Sequence, residues 1–518
     1  MTESDTAKDP PDASESSGTE ALGSTAARIA GGSSIVFAGG IVDRGLRFVI
    51  NWFLSGALGP ELFGVFAWAV TWGSTLSSFA PLGLDTGVIL FTARYRKSGE
   101  LGRAKAALLF GGAVSSAMGL LAAIGLAVAA TVLIDDPQRL RGLAWVSALL
   151  IPWTPLLYLV GCLRAAKDMR RSALAFQVLL PIVFLLGAVG LLKAGFGLDG
   201  AFVALGVATT LAAVAAARFA WHHYGGMLRD RVIRALWEPK TLLAFSIPQG
   251  LTAAAFRLNG YMDILMLGFL ATNSDVGIYK IAAGLAAFGT LPSNAVASMF
   301  NPFIAELVYV GETRRLDALL KTVTRWLIVV SAPVYLVLLT LPDVILGVYD
   351  AAYAAALVPL LLLVGGQAVQ TACAPTMRLI PMSGHAVLNL VNGLVALALN
   401  IGLNAWLIPS MGAEGAAWAT GITLALWSSW RVLEVRWLLG CFPFDWRSAM
   451  VLVVAASSGL AASLSGAEQA LPVRLALLLG ALSMVMGAVW MVSRTDADRA
   501  LASRFLAKLR RVSGRSTP

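Results

Sequence analysis

Charged side chains in the middle of an apolar segment are the residues in this sequence most able to do chemistry. Segment 33–58 has the length of a membrane-spanning helix, yet it contains Asp43, Arg44 and Arg47. On a helix these side chains share one face, because positions three and four apart are neighbours. Each charge at a bilayer centre costs about 2.5–3.5 kcal/mol on insertion scales, so such residues usually face a protein interior or a water-filled cavity. Asp43 can neutralise one arginine, which leaves at least one positive charge unmatched.

Two later apolar segments add Arg257, Asp263 and Lys280. With the first segment they give four basic and two acidic residues within predicted spans. Arginine suits a buried phosphate site, because its planar fork donates two hydrogen bonds and stays charged in apolar surroundings. We therefore interpret the four cations as an anion-binding, substrate-binding wall, formed by Arg44, Arg47, Arg257 and Lys280.

Two alternatives for these charges remain open on the sequence alone. The charges could form structural ion pairs that help the bundle pack, with Asp43 on an arginine and Asp263 on Arg257. Asp43 and Asp263 could also couple transport, by taking up a proton or by exchanging ion-pair partners between states.

The composition excludes a soluble globular protein. Of 518 residues, 58% are hydrophobic and 13% charged, and the mean hydropathy is +0.76, which indicates a polytopic membrane protein. The net charge of +10 does not indicate a nucleic-acid partner, because the basic residues cluster between apolar segments. Cys162, Cys373 and Cys441 show no metal or redox spacing, so we interpret them as small hydrophobic residues and expect no cofactor.

Apolar runs of spanning length predict an all-α integral membrane protein with about fourteen transmembrane helices. Lys and Arg cluster in every second connection, and the alternate connections hold only Arg139, Arg141, Lys193 and Arg474. Since cytoplasmic loops carry the excess positive charge, both chain ends are predicted to lie in the cytoplasm, with the protein in the inner (cytoplasmic) membrane. The predicted spans are 33–58, 62–84, 106–133, 142–163, 172–192, 200–221, 241–270, 276–303, 322–342, 352–376, 384–408, 414–438, 448–465 and 472–493.

The sequence also repeats itself. The motif LFGVF around Gly64 resembles DVGIY around Gly277, 213 residues later, and Gly99-Glu100 resembles Gly311-Glu312. GLDGA at 197–201 likewise resembles GAEGA, 215 residues later. The repeat predicts two pseudo-symmetric six-helix lobes, with their pseudo-twofold axis along the membrane normal and the substrate site between them. We place the lobes at 31–240 and 241–440.

The repeat relates two of the charged residues. Arg44 and Arg257 are 213 residues apart, so we expect them to face each other across the axis.

The remaining segments have separate predictions. Residues 1–30 are rich in Ser, Asp, Glu, Thr and Pro and are predicted to be a disordered cytoplasmic tail. Segment 441–493 holds two extra helices without a counterpart in the repeat. Residues 494–518 predict a basic amphipathic helix on the inner membrane surface, or else a topology signal alone. Its apolar and basic stripes are Leu501, Phe505 and Leu509 beside Arg504, Lys508, Arg511 and Arg515.

Several motifs together give a family resemblance over roughly residues 33–440. They are LGPELFGVF at 58–66, Asp263 with GIY at 277–279, NPFIAE at 301–306, TRW at 324–326, and LNAWLIP at 403–409 with GAA at 415–417. In these motifs the chain resembles polysaccharide-biosynthesis flippases, the Wzx-like repeat-unit translocases of the multidrug/oligosaccharidyl-lipid/polysaccharide (MOP) exporter superfamily.

The resemblance implies a V-shaped pair of helical bundles, alternating access and an undecaprenyl-pyrophosphate-linked oligosaccharide as cargo. It implies membrane lipids as partners, together with the polysaccharide polymerase and other export machinery. The two extra helices are similar to the pair that forms a lipid groove in lipid II flippases.

Two other classes of function are possible for a polytopic membrane protein, a different transporter and a membrane enzyme. A lipid II-type flippase and a cation-coupled drug antiporter belong to the same superfamily, but a drug antiporter needs an acidic cavity for cationic drugs. A polytopic glycosyltransferase or ligase usually needs a sizeable outer loop, and the predicted outer connections are short. The sequence therefore favours a transporter over an enzyme.

Overall fold

The computed structural model describes residues 13–233, 235–466 and 470–492, and the regular structure in these ranges is helical. The predicted all-α class is confirmed. The α-helices are α1 (Ala13–Phe79), α2 (Leu84–Lys97), α3 (Leu101–Leu133), α4 (Pro137–Ala165), α5 (Met169–Ala173), α6 (Leu180–Lys193), α7 (Gly197–Arg229), α8 (Pro239–Asn259), α9 (Met262–Leu270), α10 (Asn273–Ala286), α11 (Leu291–Val310), α12 (Thr313–Thr340), α13 (Pro342–Leu346), α14 (Leu357–Cys373), α15 (Thr376–Met382), α16 (Ala386–Leu439), α17 (Trp446–Gly466) and α18 (Leu471–Val492). A π-helical segment (Leu174–Leu179) joins α5 to α6, and 3-10 segments (Ala287–Thr290 and Ala351–Ala356) precede α11 and α14.

Every predicted span overlaps a helix, but the correspondence is not one to one. α1 contains the first two spans and breaks at Gly59, while α16 contains the eleventh and twelfth and breaks at Gly412. In the described part of the chain, nine helical segments are long and apolar enough to cross a membrane. Two of them have 59 and 53 residues, long enough for two crossings each, since one crossing needs about 20 residues. The count of fourteen spans stays a prediction.

The amino end differs from the prediction. α1 begins at Ala13, so residues 13–30 continue the first helix, where we predicted a disordered tail. Several alanines, the strongest helix formers, lie in this stretch, and a helix propagates from an existing span without a new nucleation step. Residues 1–12 lie outside the described range.

Repeat-related glycines share backbone geometry. Gly99 and Gly311 have φ of 77° and 76°, and each lies directly before the helix that begins the third span of its half. Gly197 and Gly412 have φ of 52° and 54°. These positive φ angles favour glycine, because a Cβ would clash with the backbone. At these two pairs of positions the backbone φ angle is therefore nearly the same in both halves.

The glycine pair at the centre of the repeat lies at a close helix–helix contact. A Cβ added to Gly64 would overlap the carbonyl oxygen of Asn273, and one added to Gly277 would overlap that of Pro60. Only glycine lets α1 and α10 approach this closely at both positions. Since Gly64 and Gly277 are repeat-related and adjacent, the pseudo-symmetry axis passes between them.

The packed cores differ between the two ends of the molecule. One core joins both halves and flanks the predicted outer connections, with Leu54 and Phe63 packed together with Tyr279 and Tyr353. At the predicted cytoplasmic end there are two smaller cores, and the one in the first half also includes Leu242 of α8. One contains Leu84, Leu163 and Tyr224 of the first half, and another contains Ile304, Leu316 and Val435 of the second.

The two extra helices are docked on α12. They share an apolar core with α12 that contains Leu336, Val451 and Val485. Arg474 of α18 pairs with Asp343 and donates to the carbonyl oxygen of Thr340 at one end. At the other end Arg325 of α12 pairs with Asp445 at 3.3 Å.

The three cysteines are buried and unpaired with one another, as predicted for small hydrophobic residues.

Candidate functional site

Two adjoining chambers lie between the halves, and the predicted cations line them. The first chamber has a volume of about 510 Å³, and its wall includes Arg44, Arg47, Asp263 and Lys280. The second chamber has a volume of about 360 Å³ and is lined by Arg47, Arg257 and Lys280. Arg47 and Lys280 belong to both walls and mark the boundary between the chambers. The structure thus brings all four predicted cations to one region between the halves.

Of the three charged residues of α1, Asp43 pairs with only one arginine, as the sequence indicated. The Nε of Arg47 lies 2.9 Å from both carboxylate oxygens of Asp43, at the predicted spacing of four residues. Arg44 is half-buried, and within the described residues its Nη1 has no hydrogen-bond partner. Asp43 thus neutralises Arg47 and leaves Arg44 as the unmatched positive charge.

Asp263 forms a buried polar cluster in the wall of the first chamber. It accepts hydrogen bonds from the hydroxyls of Tyr279 and Thr420, the latter at 3.2 Å. Its other oxygen, Oδ1, has no hydrogen-bond partner within the described residues. Lys280 interacts electrostatically with both Asp263 and Arg47. The expected alternative, an Arg257–Asp263 ion pair, does not describe this arrangement.

Arg257 has a different acidic neighbour, which the sequence did not single out. It interacts electrostatically with Asp85, at the start of α2, and so does Arg164. Asp85 follows the predicted end of the second span by one residue, so it was not counted among charges within spans. The turn that begins α2 there places it near Arg257.

Arg44 lines the first chamber and Arg257 the second, and the expectation that they face each other across the axis stays a prediction. The two repeats deviate here. α8 ends at Asn259, two residues after Arg257, whereas α1 runs unbroken from Arg44 to Gly59. The break at Gly260 has no counterpart in the first repeat.

Uncharged polar side chains complete the walls, and these were missed at the sequence level. Asn51 lines both chambers, while Asn259, Gln367, Gln370 and Thr420 line the first. The signal available in the sequence was the pair of glutamines three residues apart in an otherwise apolar span, since such a pair shares one helix face.

At the outer end, a network centred on Arg139 links the two halves. Arg139 of α4 donates to the carbonyl oxygens of Gly268 and Ala271, the latter at 3.1 Å, and to Asn273 Oδ1 at 2.6 Å. It also pairs with Asp136 at 3.3 Å. Burial alone would raise the pKa of Asp136, but hydrogen bonds from Asn273 and from two backbone N–H groups lower it below its ordinary value. The network is therefore charged at neutral pH.

At the predicted cytoplasmic end, α8 meets the turn between α1 and α2. A Cβ added to Gly83 would overlap the carbonyl oxygen of Ser246, and one added to Gly250 would overlap the amide nitrogen of Gly83. Leu242 of α8 also packs into the core of the first half. The chambers are thus bounded at one end by the shared core and at the other by this glycine contact.

A model of the family described as polysaccharide biosynthesis protein matches residues 29–308, more than half of the chain. The chain belongs to this family. The predicted resemblance is thereby confirmed.

Two relatives of this chain come from Haloferax volcanii. The probable flippase AglR is 24% identical over 446 residues, covering 79% of this chain and 83% of AglR. The probable low-salt glycan biosynthesis flippase Agl15 is 27% identical over 167 residues, covering 32% of this chain and only 35% of Agl15.

Solved structures share the fold. The lipid II flippase MurJ in an inward closed conformation aligns with a TM-score of 0.69 at 12% identity, covering 89% of this chain and 98% of MurJ. An inward-facing MATE-family multidrug transporter of the MOP superfamily aligns with a TM-score of 0.60 at 14% identity, covering 79% of this chain and 94% of that protein. The polysaccharide biosynthesis protein thus has the fold of a MOP-superfamily transporter.

Proposed function

We propose that this polysaccharide biosynthesis protein is a flippase that moves an undecaprenyl-pyrophosphate-linked oligosaccharide across the cytoplasmic membrane by alternating access. The observation that carries the proposal is the group of four cations around two chambers between repeat-related halves. Lipid-linked glycan precursors carry a pyrophosphate, which is the group such a wall would bind. The names of the two relatives, both flippases, support the same class of function.

In this proposal residues 31–240 and 241–440 act as the two lobes, and 441–493 as a pair of helices attached to the second. Arg44 and Arg257 hold the pyrophosphate by paired hydrogen bonds, while Lys280 supplies a point charge between the chambers. The substrate enters from the cytoplasmic side while the outer end is closed. Membrane lipids, the polysaccharide polymerase and other export proteins are the proposed partners.

The membrane potential favours outward movement of such an anion. Moving one elementary charge across 100 mV is worth about 2.3 kcal/mol, so an anion leaving a negative cytoplasm moves downhill. The cationic chambers offset the cost of bringing the pyrophosphate into the apolar layer. A drug antiporter for cations is disfavoured by the same charges, which would repel its cargo.

A genetic test addresses the function directly. Deleting the gene should cause lipid-linked oligosaccharides to accumulate with their glycans on the inner leaflet. Normal export and no accumulation in the deletion strain, with no second flippase gene to compensate, would contradict the proposal.

The site itself is tested by substitution. Arg44→Ala or Arg257→Ala should abolish glycan export without lowering the amount of protein in the membrane, and Lys should restore part of the activity. Arg218→Ala is the matched control, because Arg218 is an exposed arginine of α7 that lines neither chamber. Normal export by both alanine variants at Arg44 and Arg257 would place the site elsewhere.

A further inference from the structure

The first chamber has a set of uncharged polar residues distinct from its cations. The cations come from α1 and α10, whereas Gln367 and Gln370 come from α14. The two glutamines are three residues apart and therefore share one face of that helix. Nothing in the pyrophosphate-binding role assigned to the cations requires them.

The packing of α14 fixes the direction of this face. A Cβ added to Gly366 would lie 2.6 Å from the Cα of Gly421, so α14 and α16 are in close backbone contact there. The hydroxyl of Tyr335 donates to the carbonyl oxygen of Gln367 at 3.0 Å and lies 2.7 Å from the hydroxyl of Thr371. With α14 held on these sides, the glutamine side chains are directed into the chamber.

The side-chain oxygen of one of these glutamines has no partner among the described residues. The Oε1 of Gln367 is buried and has no hydrogen-bond partner within the described residues. A buried carboxamide oxygen without a partner destabilises a protein, so native structures usually provide one. A hydroxyl group of a bound ligand would supply the missing donor.

We propose that Gln367 and Gln370 form a sugar subsite, which binds hydroxyl or N-acetyl groups of the sugar next to the pyrophosphate. This inference rests on the proposed flippase function. A carboxamide presents both a donor and an acceptor, and so does a sugar hydroxyl. A phosphate would use only the donors and a prenyl chain neither, so the chemistry of this wall selects the glycan. The chamber volume of about 510 Å³ lies within the usual range for small-molecule sites.

The test measures binding of two probes to the purified full-length protein in nanodiscs. One probe is undecaprenyl pyrophosphate, and the other is the undecaprenyl-pyrophosphate-linked oligosaccharide purified from cells lacking this gene. Wild-type protein should bind the glycosylated probe more tightly. Gln367→Leu and Gln370→Leu should each weaken binding of the glycosylated probe by roughly five- to tenfold, as expected for a lost hydrogen bond. Their affinity for undecaprenyl pyrophosphate should match that of the wild type.

Two controls accompany the test. Gln138→Leu makes the same chemical change at an exposed glutamine of α4 outside the chambers, and it should leave both affinities unchanged. The melting temperature of each variant shows whether it folds, and Gln367→Asn, which keeps the carboxamide, should lose less affinity than Gln367→Leu.

The outcomes separate the two proposals. Folded leucine variants that bind the glycosylated probe like wild type, or that lose affinity for both probes equally, would overturn the sugar subsite and leave the flippase function standing. If Arg44→Ala and Arg257→Ala bind undecaprenyl pyrophosphate as tightly as wild type does, the proposed pyrophosphate site fails instead. A wild-type protein that binds neither probe overturns both proposals.

Discussion

At the residue scale, one carboxylate decides which arginine of α1 is available to an anion. Asp43 accepts from Arg47 at 2.9 Å, whereas the half-buried Arg44 interacts with Asp43 only electrostatically, and its Nη1 has no hydrogen-bond partner within the described residues. The spacing in the sequence predicted that Asp43 pairs with one arginine, because positions on one helix are fixed by its geometry, but not which of the two it is. Neighbours contributed by distant segments, such as Asp85 beside Arg257, could not be predicted in that way.

Asp263 is the residue through which we expect coupling to an ion or proton gradient. One of its oxygens is buried and has no hydrogen-bond partner in the described part of the chain, and Lys280 interacts with it electrostatically. In proteoliposomes, an imposed pH gradient should therefore change the wild-type translocation rate, and Asp263→Asn should abolish that response. Asp43→Asn serves as a comparison, since Asp43 is committed to Arg47. If the rate does not respond to the gradient and both asparagine variants are active, coupling through these acids is excluded.

At the element scale, closure of the outer end depends on Arg139. This residue lies in a predicted outer connection, where the charge rule expects few basic residues. Arg139 is one of four basic residues in the predicted outer connections, and it joins α4 to the α9–α10 connection of the other half. Arg139→Ala should favour opening of the outer end, because it removes several hydrogen bonds between the halves.

Labelling of an engineered cysteine measures that opening. The native cysteines are buried, so Asn51→Cys, which places a thiol in both chamber walls, should give a clean signal with an impermeant maleimide added outside. Arg139→Ala should increase labelling severalfold. Arg141→Ala is the control, since Arg141 pairs with Asp199 within the same half. Equal labelling in all three backgrounds would show that the Arg139 network does not hold the outer end closed.

The pH dependence of this closure follows from Asp136. Its pKa is lowered in the closed structure, so its stabilising effect is present above the ordinary value of about 3.9 and is lost only as the pH falls through the lowered pKa. Labelling of Asn51→Cys, corrected for maleimide reactivity, should therefore stay constant between pH 8 and pH 6. A marked rise in labelling over that range would show that another group controls the outer end.

The two extra helices should contribute to stability through an ion pair with α13. Arg474 is 5% exposed, and its hydrogen bonds to Asp343 hold the pKa of that carboxyl below its ordinary value. Asp343→Ala leaves a buried guanidinium without its partner and should lower stability by about 1–3 kcal/mol. A double-mutant cycle with Arg474→Met, followed by thermal unfolding, measures the pair. Additive effects of the two substitutions would mean that the pair does not fix these helices.

The repeat shows which contacts between helices could be predicted from the sequence. Gly64 and Gly277 were identified as equivalent from short motifs, and they meet at one contact. The break at Gly260 has no counterpart in the first half, although Asn259-Gly260 is a residue pair typical of a helix end. The predicted span 241–270 ran through this pair because its hydropathy continues beyond it.

At the scale of the whole molecule, the larger shared core marks the predicted outer end as the closed one. At the other end, within the described residues, the halves meet through α8, where Leu242 joins the first-half core and Gly83 contacts Gly250. Hydropathy and charge predicted the class of fold, because the bilayer imposes helix length and loop charge. They could not predict the closed end, since two states of a transporter differ by only a few kcal/mol in total.

The carboxyl tail, 494–518, lies outside the described residues, so its amphipathic helix stays a prediction. Its four basic residues on one side could contribute about 1 kcal/mol each on anionic lipid. A synthetic peptide of residues 494–518 should be unordered in buffer and become helical with anionic vesicles. A circular dichroism spectrum that anionic vesicles leave unchanged would favour a topology signal alone.

In the proposed function, this chain alone carries a lipid-linked glycan across a bilayer between its two halves. The most direct measurement reconstitutes the purified protein in vesicles with fluorescent undecaprenyl-pyrophosphate-linked oligosaccharide and follows its exposure to an impermeant glycosidase. With wild type and Arg218→Ala, the fraction of glycan cleaved should rise from the share in the outer leaflet towards all of the substrate. With Arg44→Ala or Arg257→Ala it should stay at the level of protein-free vesicles. If vesicles with wild-type protein show no more cleavage than protein-free vesicles, the proposed function is contradicted. Equal cleavage with wild type and with both alanine variants would contradict the proposed pyrophosphate site.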